Sequence, residues 1–112
     1  MELTVEKYAE GITGIRLDGR LDTVGSGAIE LRFSVLTGAN RAVIVDLSGV
    51  EFMTSLGIRL LLQGARTVRG KGGKLVLLQP RELIETVLKT AGIDSLIPIF
   101  HERDAAIAAV SA

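Results

Sequence analysis

The sequence predicts an α/β fold built on a mixed, mostly parallel sheet whose first strand is antiparallel. Three observations predict it. Two alternating segments at the start are joined by a short glycine turn. Two later segments are apolar at nearly every position. Helix-periodic stretches lie between the strands.

Residues 2–7 alternate, with Leu3 and Val5 against Glu2, Thr4 and Glu6, and read as a half-buried strand. Gly11 marks a turn. Residues 12–18 form the second strand, with Ile15 and Leu17 on one face and Gly14 and Arg16 on the other, so the pair reads as an antiparallel hairpin. Asp22 or Thr23 can cap the first helix, whose apolar positions Val24, Ala28, Leu31 and Val35 are expected to face inward; Gly25 and Gly27 weaken its first turn, and Gly38 ends it. Residues 42–45, AVIV, are a central parallel strand covered on both faces. After Asp46, Leu47 and Ser48 we expect a turn, then Phe52 and Met53 in the core. A second helix over residues 55–69 turns Ile58, Leu61, Ala65 and Val68 inward and Arg59, Gln63 and Arg66 outward. Residues 75–78 are another buried strand. Pro80 suits the first turn of a third helix with Leu83, Val87, Leu88 and Ala91 inward and Gly92 closing it. Residues 97–100 are a last strand, kept at the sheet edge by Pro98, and residues 103–110 a final short helix. Strand–helix alternation at this spacing implies right-handed crossovers.

The 112 residues suit one domain spanning 1–112, and 47% apolar content supplies its core. Thirteen basic and thirteen acidic residues cancel, which leaves no basic excess to attract nucleic acid. Without cysteine there is no disulfide or thiolate chemistry, and His101 alone cannot build a multi-histidine metal site. We therefore expect no cofactor or metal, and a melting curve unchanged by chelator or reductant; a clear shift with either would reveal a missed site. The first residues lack a signal-peptide pattern and no apolar run approaches the ~18 residues of a membrane span, so a cytoplasmic protein without a membrane partner is expected.

The richest stretch is DLSGVEFMTSLG, residues 46–57. It places the hydroxyls of Thr54 and Ser55 at a helix N-terminus, where free N–H groups and the positive end of the dipole favour negative charge. A serine there can cap the helix unmodified or carry a phosphate that the helix end stabilises. The stretch resembles the signature of the STAS domain, D-L-S-x-V-x-F-[MI]-D-S-[ST]-G, matching at Asp46, Leu47, Ser48, Val50, Phe52, Met53, Ser55 and Gly57. It departs at Thr54, where the family usually has Asp, and at Leu56, where Ser or Thr is common. Gly19-Arg20-Leu21-Asp22 is similar to the G-x-L-D that precedes the family's first long helix.

The resemblance implies an anti-sigma factor antagonist of a partner-switching pathway, a binder and kinase substrate rather than an enzyme. Its expected partners are a serine-kinase anti-sigma factor and a metal-dependent serine phosphatase. The phosphorylated serine of that branch maps onto Ser55, with Thr54 the competing acceptor. A STAS subunit of a lipid or solute ABC transport complex, and a stressosome-type scaffold subunit, are the alternatives. The expected partner-binding residues are Asp22, Thr54, Ser55, Leu56 and Gly57. Each also has a plain structural reading. Ser55 and Asp22 can be ordinary caps, Asp46 a structural carboxylate at a strand end, and Leu56 either an exposed contact or a side chain folded under the helix. Gly70-Lys71-Gly72-Gly73-Lys74 superficially resembles a phosphate loop, but it precedes a strand and reads as a helix stop. His101 reads as a solvent-facing side chain.

Overall fold

The computed structural model describes residues 1–111. Five strands, β1 (Glu2–Ala9), β2 (Ile12–Leu21), β3 (Ala42–Met53), β4 (Lys74–Leu78) and β5 (Ile99–Phe100), form one sheet in the order β1-β2-β3-β4-β5. The β1–β2 pair is antiparallel and the other three pairs are parallel, as the alternating hairpin and the all-apolar strands predict. The helices are α1 (Thr23–Ala39), α2 (Ser55–Gly70), α3 (Glu82–Thr90) and α4 (Arg103–Val110), with a single 3₁₀ turn at Ile93–Ser95. Among the described residues no helix is long and apolar enough to cross a membrane.

Strand alternation splits β3 between two apolar layers. Val43 and Val45 join Ile15, Leu17, Leu77 and the inner faces of α1, α2 and α3. Ile44 points the other way, to Val76, Leu78 and the Ala106 and Val110 face of α4. All three are fully buried, the two-sided cover expected of an AVIV strand.

Four local expectations are corrected. First, β3 does not turn after Ser48. It runs on to Met53 beside β2, and two register irregularities, between Arg16 and Asp18 and between Gly19 and Arg20, absorb the mismatch. Met53 is buried, but Phe52 is 39% exposed and lies under the Arg20 guanidinium, 4.3 Å from the ring centroid, a cation–π contact on the surface. Second, α1 is rotated by nearly half a turn from the expected face. Gly25, Ser26, Ile29, Phe33 and Thr37 are buried, whereas Val24, Leu31 and Val35 are 80%, 79% and 60% exposed. Close approach decides this. A Cβ on Gly25 would lie 1.9 Å from the Arg20 carbonyl oxygen, so only glycine lets this face of the helix settle on the end of β2.

Third, α3 buries Ile84 and Leu88 and exposes Leu83 and Ala91, and it starts after Pro80, with Arg81 as its N-cap residue. Arg81 Nε donates to the Ser48 carbonyl at 2.9 Å, which ties this helix start to β3. Fourth, the last strand is only Ile99–Phe100, because Ile97 N–H bonds back to the Ile93 carbonyl at 2.8 Å and Pro98 has no N–H to pair. His101 is exposed as expected, yet it has a partner: its Nε2 lies 2.7 Å from Glu85 Oε1. That hydrogen bond, more than the one from Lys89, holds the Glu85 carboxyl below its ordinary range.

Candidate functional site

Crossovers in a parallel sheet bring the C-terminal ends of strands and the N-termini of helices to one edge. Here β2 delivers Asp22 to that edge and β3 delivers Thr54 and Ser55. The two chain segments are joined directly. The Thr54 backbone N–H donates to the Leu21 carbonyl at 3.1 Å, and Thr54 Oγ1 donates to the same oxygen at 3.4 Å. Gly57 explains how α2 can start so close to β2. A Cβ there would meet Leu21 Cγ at 2.7 Å and the Leu21 carbonyl at 2.8 Å. Gly57 is buried and shapes the edge rather than presenting a surface.

Ser55 is not the cap. Thr54 occupies the N-cap position with extended backbone, and Ser55 is the first helical residue. No side chain caps this helix, because Thr54 spends its hydroxyl on Leu21, and no acidic residue lies in the first turn. The first intrahelical bond is Ile58 N–H to the Thr54 carbonyl at 3.1 Å. The earlier N–H groups therefore have no partner within the helix, and beside the exposed Ser55 they leave a helix end that suits an anion.

A shallow groove descends from Ser55, lined by Ile58, Arg59, Leu62, Gln63 and Arg66. Arg59 follows Ser55 by four residues and so sits one turn below it on the same face. Arg59 and Arg66 are exposed, as their spacing predicts, although that periodicity assigned them no role. Their signal was available, since a cation four residues after a hydroxyl at a helix start can reach a phosphate there. Leu56 is 36% exposed and lines the opposite groove, with Thr23, Ser26, Gly27, Glu30, Arg59, Leu60 and Gln63 between α1 and α2. It is a surface residue, not one folded under the helix.

Asp22 caps α1, its Oδ1 accepting from Gly25 N–H at 2.8 Å. That bond, with a lesser contribution from Arg20 at 3.5 Å, holds its carboxyl below the ordinary range. A carboxyl whose pKa is lower folded than unfolded adds stability that is complete above the unfolded pKa and is lost as the pH falls through the folded one. Asp22→Ala should therefore be less stable than wild type at pH 7 in urea titrations, and the gap should close in strong acid. Asp22→Asn keeps the accepting oxygen and should show a smaller gap at pH 7. A gap independent of pH for Asp22→Ala would refute this account of the cap. Asp46 is 9% exposed; it accepts from Ser48 N–H at 2.9 Å and lies 3.5 Å from Arg16 Nη1, a carboxylate that braces β3 against β2.

The five-strand order with an antiparallel first pair, and the exposed serine where α2 starts after the central strand, agree with the STAS resemblance read from residues 46–57. The STAS-domain family model matches residues 5–106, and the chain belongs to that family. A candidate anti-sigma factor antagonist of Bordetella bronchiseptica, BtrV, is 28% identical over 110 residues, which cover 97% of this chain and 94% of that protein. An anti-sigma factor antagonist from Mycobacterium paratuberculosis has the same fold, with a TM-score of 0.89 at 24% identity over 99% of this chain and 94% of the other. The Bacillus cell fate determinant SpoIIAA, solved in its phosphorylated form, gives a TM-score of 0.70 at 25% identity over 93% of this chain and 96% of that one.

Proposed function

We propose that this protein is an anti-sigma factor antagonist that works in the cytoplasm as a phospho-switch. Unphosphorylated, it binds a serine-kinase anti-sigma factor and so frees the sigma factor. The kinase then phosphorylates Ser55 and the complex separates. A metal-dependent serine phosphatase restores the binding form. The chain is substrate and binder in this cycle and catalyses none of its steps.

The observation that carries the reading is the exposed Ser55 hydroxyl at an uncapped helix start, with Arg59 one turn below. A phosphate there gains the free N–H groups, the helix dipole and a cation, so the modified chain stays folded. The same phosphate adds about −1.5 to −2 charges to a surface that must be desolvated on binding. The near-full-length relatives named as anti-sigma factor antagonists, and the phosphorylated form known for SpoIIAA, support the assignment. Asp22, Thr54, Ser55 and Leu56 form the contact edge in this reading, and Gly57 sets its shape.

The test is incubation with the cognate kinase and Mg-ATP, followed by mass spectrometry of the intact chain and its peptides. One phosphate on Ser55 is expected, retained in Thr54→Ala and absent in Ser55→Ala. A phosphate on Thr54, or none at all, would refute the switch.

A further inference from the structure

Among the described residues, three of the four most exposed large apolar side chains lie not at the Ser55 edge but on the outer face of α1. Val24, Leu31 and Val35 are 80%, 79% and 60% exposed, and Ala28 lies exposed between them. At about 100° per residue these four fall on one narrow stripe, nearly opposite the buried Ile29 and Phe33. A helix apolar on both faces is one that packs on both faces. The sheet and α2 take one face, and nothing among the described residues covers the other.

We propose that the α1 stripe is an interface between two copies of this chain, packed as an antiparallel helix pair. The spacing along the stripe is four, three and four residues, which reads the same in either direction. A second copy turned about a two-fold axis between positions 29 and 30 therefore presents the same stripe in reverse. Val24 then meets Val35 of the second copy, and Leu31 sits over Ala28 of the second copy, a large side chain against a small one. Such an isologous pairing needs no second surface.

Charge does not oppose it. The stripe carries none, and the nearby Arg32 is drawn aside, its Nη1 donating to the Leu3 carbonyl at 3.0 Å. The exposed area of the stripe is about 400–500 Å² per copy, or roughly 800–1,000 Å² in the pair, below the ~1,200 Å² where stable interfaces begin. The dimer is accordingly a weak one, filled at high protein concentration.

Sedimentation velocity from about 10 µM to 1 mM tests this, a range that spans weak, transient association. The average mass should rise from the 11.9 kDa of one chain toward twice that value. Leu31→Glu, which changes an exposed helical position and should keep the wild-type melting temperature, should stay monomeric throughout. Because the chain has no cysteine, single cysteines report the geometry without background. A mixture of Ala28→Cys and Leu31→Cys, and one of Val24→Cys and Val35→Cys, should form mixed disulfides readily, whereas Val24→Cys alone should not. A wild-type chain that remains monomeric at 1 mM, a Leu31→Glu chain that dimerises as well as wild type, or equal crosslinking of Val24→Cys with itself would each overturn the proposal.

Discussion

Ser55→Asp is expected to bind the cognate anti-sigma kinase about 10²–10⁴-fold more weakly than wild type while folding at least as stably. The affinity loss corresponds to a cost of ~3–5 kcal/mol for bringing an unpaired charge into a packed contact. The stability change runs the other way. The start of α2 has no side-chain cap and no acidic residue in its first turn, so a carboxylate at its first position gains roughly 0.3–1 kcal/mol from the helix dipole. Ser55→Ala separates the two effects. Ser55 makes no capping hydrogen bond, so its loss should change stability by less than about 0.5 kcal/mol and leave partner binding near wild type. Calorimetric titration and thermal melting on the same samples check both. Wild-type affinity for Ser55→Asp would remove charge as the basis of the switch.

Phe33→Ala should be among the most damaging single changes in the domain, costing about 3–5 kcal/mol and lowering the melting temperature by on the order of 10–25 °C. Phe33 is 1% exposed and packs with Ile29 into the main core, its ring lying over Gly64 and so holding α1 against α2. Truncation leaves a cavity between two helices that the sheet already fixes in place. Leu31→Ala, two residues earlier but 79% exposed, should cost less than about 1 kcal/mol in dilute solution. The pair tests which face of α1 is the inner one. Equal costs for the two variants would contradict the packing described above.

The motif was legible because its residue types have few other uses in that order. The hydroxyl pair Thr54-Ser55 directly before the amphipathic pattern of residues 58–68 places Ser55 at a helix start from local pattern alone. What could not be read there was that Thr54, not Ser55, would take the N-cap position. That depends on the Leu21 carbonyl, which lies 33 residues earlier in the chain and arrives only when β2 and β3 pair. The contribution of Arg59 is of the same kind, visible as a spacing and meaningful only once the helix start is known to be uncapped.

Local pattern alone determined the five strands and four helices in order, the antiparallel start of the sheet, the two-sided burial of residues 43–45 and the position of Ser55. These follow from periodicity and from turn and cap chemistry, which act over a few residues. Tertiary structure decided the inner face of α1, the continuation of β3 through to Met53, the surface position of Phe52 and the role of Thr54. Helix α1 carries two apolar stripes, and periodicity cannot rank them. The choice fell to close approach between Gly25 and the end of β2, a contact that exists only between elements already folded side by side.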